Sequence, residues 1–164
     1  MNNKLLILLS PVVVGLFVAI AIPNFVGGGP SKLSSILAML RQIDGAKHGW
    51  AEQHGFTNSI LPLHEITQHD IAPLLARGYV DRFGFGVDTN GYICSSKDVL
   101  FEINPLGVSP TAIFLREYKR APVPLPAGAV IKFDQEGMEE YILPGRPPII
   151  YRWINQQFVQ ASSE

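Results

Sequence analysis

Four histidines, His48, His54, His64 and His69, fall in one short stretch that also holds Glu52, Glu65 and Asp70. Imidazole and carboxylate together suit a divalent metal, but a working site needs paired ligands at short, regular spacing such as HExxH, and none occurs here. The stretch reads as solvated surface, and no metal or other cofactor is expected. Cys94 is the single cysteine. A nucleophilic thiol needs a base or a cation to lower its pKa, and its neighbours are hairpin residues, so it reads as a half-buried structural thiol. The glycines at Gly27 to Gly29 and Gly84 to Gly86 stand in neither a GxGxxG nor a GxxxxGK[ST] frame, so no nucleotide site is indicated. Arg116, Lys119 and Arg120 suit anionic lipid headgroups or a protein partner, or simply a solvated face. These residues give no catalytic constellation and point to no small-molecule substrate. The expectation is a protein that is not an enzyme.

The elements that carry these residues begin with Leu5 to Val26, LLILLSPVVVGLFVAIAIPNFV, a run without one charge. About 20 apolar residues suffice to cross a bilayer core as a helix. Lys4 precedes the run, while Lys32 and Arg41 come only after a polar gap, which favours a cytoplasmic N-terminus. The expectation is a single-pass inner-membrane protein with a periplasmic or extracellular head. Two other readings compete with it: a cleaved signal peptide, for which Ala19 and Ala21 offer a small-x-small site, and a buried helix of a soluble core. The run exceeds the usual signal length, and core helices rarely show so long an uncharged terminal stretch.

The 164 residues carry a net charge of -1, and no basic block interleaved with aromatics appears, so nucleic acid is not an expected partner. With one cysteine, the head must be held by its hydrophobic core. The expected division is an anchor and Gly/Pro hinge over 1–30, an extracytoplasmic α+β head over 31–159, and a frayed tail over 160–164. GGGPS at Gly27 to Ser31 separates the anchor from the head. Leu33, Ile36, Leu37, Leu40, Ile43 and Trp50 then recur at helical steps, predicting an amphipathic helix from Lys32 to Gln53 with its stop at Gly55. Arg41, Gln42, Lys47 and Glu52 fall on the face assigned to water. Trp50 is expected to plug the helix against a sheet.

A second helix is predicted from Gln68 to Arg77, capped by Thr67 with Asp70 and ended at Gly78. Beyond it the pattern turns to strands: Arg82 to Val87, Tyr92 to Cys94, Val99 to Ile103, Ala112 to Leu115, Ala129 to Asp134, Met138 to Leu143 and Ile149 to Trp153. Asn90-Gly91 predicts a two-residue hairpin turn, and Gln135-Glu136-Gly137 a second hairpin. Pro122, Pro124 and Pro126, and the stretch from Pro144 to Pro148, predict extended crossovers.

This order of elements, with VAIAIPNFV at Val18 to Val26 and LRQIDGAKHGWAEQHG at Leu40 to Gly55, resembles type IV pilins and the pseudopilins of type II secretion. The segment from Asp70 to Ala76 and the NGY at Asn90 to Tyr92 are similar to the small head of the same proteins, and nothing after about Ser96 resembles them. The resemblance implies a pilin-like fold: a membrane helix and an amphipathic helix packed on a C-terminal antiparallel sheet. It also implies a structural subunit whose partners are lipid and other pilin-like subunits. Within the anchor, Leu6, Gly15, Pro23 and Phe25 become candidates for helix-helix packing. Aligned on Pro23, Met1 falls where the family has its cleavage glycine, and Leu6 where it has a membrane glutamate. That departure supports a second expectation, a membrane-tethered binding domain that has lost filament assembly.

Overall fold

The structure, a computed structural model, describes residues 31–56, 64–121, 123–154 and 157–161. The anchor segment, with Leu6, Gly15, Pro23 and Phe25, lies outside the described residues. Among the described residues no helix is long and apolar enough to cross a membrane. All elements belong to the second of two units, Lys32–Glu164. They form an α+β arrangement of one long helix, two short helical turns and two antiparallel sheets.

Helix α1 spans Lys32–Gln53, as its apolar spacing predicts. Gly55, at φ +78°, ends it: the Phe56 amide donates to the Ala51 carbonyl (2.9 Å) and the Gly55 amide to that of Glu52 (3.1 Å), which satisfies two end carbonyls. Helix α2 is short, Gln68–Ile71, because Pro73 has no N–H to continue the ladder, and the chain tightens into a 3-10 turn at Ala72–Leu74. The predicted run to Arg77 is therefore corrected. Its cap holds as expected, since the Thr67 amide and hydroxyl both donate to Asp70 Oδ2 (2.7 and 2.6 Å).

The small sheet is β1 (Tyr79–Val80), β2 (Gly86–Val87) and β3 (Ile93–Cys94) in that order. The large sheet is a six-stranded meander of β4 (Val99–Glu102), β5 (Thr111–Phe114), β6 (Val130–Phe133), β7 (Glu139–Leu143), β8 (Ile149–Ile154) and β9 (Gln157–Ala161). Every strand pairs antiparallel with its sequence neighbours within its sheet, so the proline-rich connections are loops between adjacent strands rather than crossovers. One of them doubles back on itself through a Tyr118–Leu125 bridge. The sequence pattern does not predict β9, and this strand corrects the frayed tail: Gln160 pairs with Tyr151 and Ala161 with Ile150.

Three hairpins are closed by one device. In Asp81–Phe85, Asp88–Tyr92 and Asp134–Met138 the aspartate Oδ1 accepts the amides two and four residues on, at 2.8 to 3.0 Å. A glycine at position four, Gly84, Gly91 or Gly137, takes φ between +79° and +88°. This splits the predicted strand from Arg82 to Val87, since Phe83 and Phe85 give their amides to Asp81. It also replaces the two-residue Asn90-Gly91 turn by a longer loop in which only Gly91 has positive φ. Gly86, at φ +149°, is required in β2, because a Cβ there would stand 2.0 Å from the Tyr79 carbonyl oxygen.

The core lies between α1 and one face of the large sheet. Ile36, Leu40 and Ile43 meet Val99, Ala112, Phe114, Ile131 and Tyr141, all at 0 or 1% exposure, and Phe85 stacks edge-on against Phe101 to join the small sheet. The opposite flank of α1 is also covered, with the Gln42 side chain bonded to the Ala76 carbonyl. Two covered flanks explain why Met39 and Ala46 are buried as well. Lys47, expected in water, is 3% exposed and donates to the carbonyls of Ile103, Pro105 and Val108 at 2.8, 2.9 and 2.5 Å. Its ammonium clamps the β4–β5 loop to the helix. Burial pushes its pKa down to about 8, against a smaller upward pull from Asp44.

Leu40→Ala should cost about 2–5 kcal/mol in denaturant unfolding, and Trp50→Ala, which removes a half-exposed ring, clearly less. Lys47→Met should cost about 3 kcal/mol or more at pH 7, because three carbonyls lose charged donors. Between pH 8 and 10.5 the unfolded chain binds more protons at Lys47 than the folded one, so the native protein should gain stability relative to Lys47→Met as pH rises through that window. Unfolding midpoints of both proteins at pH 7 and 10 measure it.

Candidate functional site

The residues nearest to a functional surface gather where the chain enters α1. Lys32, the first helical residue, reaches back to Asp98 just before β4 (Nζ to Oδ2, 3.0 Å), and its ammonium lies 5.9 Å from the ring centres of both Phe85 and Tyr118. Arg116 approaches the other Asp98 oxygen at 3.8 Å. Asp98 is therefore held between two cations. The Lys32 hydrogen bond first, then the surrounding positive charge, keeps its carboxyl below the usual carboxylate range. Beside this pair Lys97 and Arg116 are exposed, and further along the chain Lys119, which meets Glu117 at 3.5 Å, and Arg120 are exposed as well. The sequence singles out three of these four cations. The fold adds Lys97, and sets it and Arg116 beside the Asp98 that Lys32 reaches from the start of the helix.

The predicted packing stripe divides. Ile36, Leu37, Leu40 and Ile43 are buried, and Leu33 packs half-buried at the entry end. Trp50 packs against the hydrophobic core. It sits half-buried at the far end, with the His54 ring stacked on it at 3.9 Å, His64 at 5.7 Å and Phe56 at 6.1 Å. Two of the four histidines are thus brought together by aromatic stacking. Among the described residues no group of three or more His, Cys, Asp or Glu side chains could hold a metal. Cys94 is half-buried in β3, as expected.

A cleft of about 650 Å³ opens on the other face of the large sheet, floored by Val130, Lys132, Glu140, Ile142 and Arg152 and walled by residues 107–109 and 134–136. The charges of its floor are mutually paired. Glu140, 5% exposed, accepts from Lys132 (3.3 Å) and Arg152 (2.8 Å), and Arg152 also approaches Asp134 at 3.8 Å. The described residues include no buried side-chain polar atom without a partner. Sequence alone shows these charges only as scattered surface residues, because strand register is what aligns them. No family model, curated protein or solved structure matches this chain.

Acid should loosen the entry end. Asp98 has its folded pKa lowered, so the stability it contributes is present above the ordinary carboxylate value and is lost as pH falls through the lower folded value. The Asp98→Asn protein should lack that part of the acid dependence. Parallel acid titrations of unfolding midpoints, native against Asp98→Asn, give the comparison.

Proposed function

We propose that this chain is a non-enzymatic, pilin-like or pseudopilin-like subunit, anchored in the inner membrane by Leu5 to Val26 with its α+β head on the outer side. The observation that carries the reading is the charge-free run leading, through a Gly/Pro break, into a helix that is buried on an antiparallel sheet. Exposed Lys97 and Arg116 beside the Asp98 that Lys32 bridges support it, since lysine and arginine close to a membrane surface are favourable. The pilin-like assignment itself rests on the VAIAIPNFV and LRQIDGAKHGWAEQHG resemblance, and fold-level likeness does not by itself fix function.

Leu6 favours the second reading, a tethered binding domain outside any filament. A leucine offers packing but no charge to pair with a neighbouring subunit inside lipid.

Fractionation followed by N-terminal sequencing tests the anchor. The protein should stay with membranes after alkaline washing, and a soluble species beginning at Ile22 would overturn the reading. Shearing cells and assaying the released fibres separates the two functions. Native protein present there in stoichiometric amount supports the subunit, whereas its full retention in the membrane supports the tethered domain. Replacing Leu6 by glutamate should then increase the sheared fraction.

A further inference from the structure

The β4–β5 loop, residues 103–110, has no titratable side chain, yet it receives the one buried cation among the described residues. Lys47 Nζ lies 2.8, 2.9 and 2.5 Å from the carbonyl oxygens of Ile103, Pro105 and Val108. An ammonium carries three N–H donors, and these three acceptors use all of them. Asp44, which pulls on Lys47 from the same helix, makes its ion pair with His48 at 3.7 Å instead. Main-chain oxygen therefore takes the place of water around the charge, as carbonyl rings do around a metal cation.

The loop keeps this shape through bonds that do not involve Lys47. Asn104 stands at φ +60°, in the left-handed region, and its side-chain amide donates across the loop to the Ser109 carbonyl at 2.9 Å. The Val108 amide donates to the Pro105 carbonyl at 3.2 Å and closes a tight turn, in which Gly107 takes φ +78°. Leu106, 1% exposed, joins the hydrophobic core, and its amide donates to the His64 carbonyl at 2.8 Å. Three carbonyls are thus aimed at one point by the loop's own geometry.

We propose that Ile103, Pro105 and Val108 form a main-chain binding site for a primary ammonium ion, and that Lys47 is its resident occupant. The site recognises a head group with one positive charge and three N–H donors, not the chain that delivers it. Acceptors that are already in place keep their affinity when the tether is cut, because little ordering is left to be done on binding. Removal of the lysine side chain should therefore leave a receptor for a free amine. In Lys47→Ala the missing atoms are a three-carbon chain and the nitrogen, which is the skeleton of n-propylammonium. In Lys47→Met the side chain reaches as far as the lysine carbons do, so the space left is that of ammonium itself. The inference does not rest on the anchor reading.

The test follows thermal unfolding of the full chain in detergent at pH 7 by circular dichroism. Both variants should unfold below the native protein. n-Propylammonium chloride should raise the Lys47→Ala midpoint toward the native value, with the logarithmic dependence on concentration expected of a ligand that binds only the folded state. It should move Lys47→Met no more than tetramethylammonium chloride does, a salt whose cation has the charge and no N–H donor. Ammonium chloride should raise Lys47→Met above that control. Native protein, with its site filled, should respond to neither amine beyond the control, and n-propanol, which fills the space without charge, should not rescue Lys47→Ala. Rescue of either variant by its matching amine alone supports the site, including the case in which Lys47→Ala folds only once the amine is added. Indifference of both variants to their amines, or equal rescue by tetramethylammonium or n-propanol, would overturn the inference.

Discussion

A helix covered on two flanks can carry a charge inward only if that charge finds partners without water, and Lys47 meets this condition with three backbone carbonyls and no carboxylate contact. The consequence reaches beyond one side chain. The β4–β5 loop has its own polar backbone to satisfy, and it does so by folding over the helix end that presents Lys47. That contact fixes where α1 lies along β4, with Lys32 at the Asp98 end and Lys47 at the loop. The apolar residues Ile36, Leu40 and Ile43 then fall against the strands between. Hydrophobic burial supplies the driving force, but it is non-directional. The ammonium and its acceptors choose the register.

Local turn chemistry does comparable work in the sheets. The pattern aspartate, two variable residues, glycine and an apolar residue or tyrosine occurs as DRFGF, DTNGY and DQEGM, and each copy closes a hairpin with the same hydrogen bonds. Strands only two residues long, such as β1 and β2, have little pairing of their own. They persist because Asp81 and Asp88 fix the connections, and because Phe85 and Val87 are buried in the common core. The spacing is open to inspection in the sequence. Reading Asn90-Gly91 as the turn obscures it, since the aspartate two residues before Asn90 is the organising group.

The two ends of α1 also differ in kind. At the entry end exposed cations surround one bridged carboxylate, which suits a charged or hydrated boundary. At the far end Trp50 lies among His54, Phe56 and His64, with a polar edge available to solvent. The same sequence stripe therefore serves two environments. Helical periodicity alone does not distinguish them, because it reports which residues share a face and not how far the covering layer extends.

What the sequence determined by itself was whatever depends on near neighbours: the bounds of α1, its glycine stop, the Thr67–Asp70 cap, most of the strand positions and the uncharged N-terminal run. Each arises from backbone preference or from periodicity over a few residues. Tertiary structure decided the rest. Lys47 is buried because the β4–β5 loop closes over it, and β9 forms because Phe158 packs against Trp153 of the adjacent β8 and against Tyr141 of β7, which lies outside any local window. The row formed by Leu100, Ile113, Val130, Ile142, Ile150 and Ala161, one on each strand of the large sheet, exists only through register. Register is set by pairing between separate strands, and no stretch of chain carries it alone.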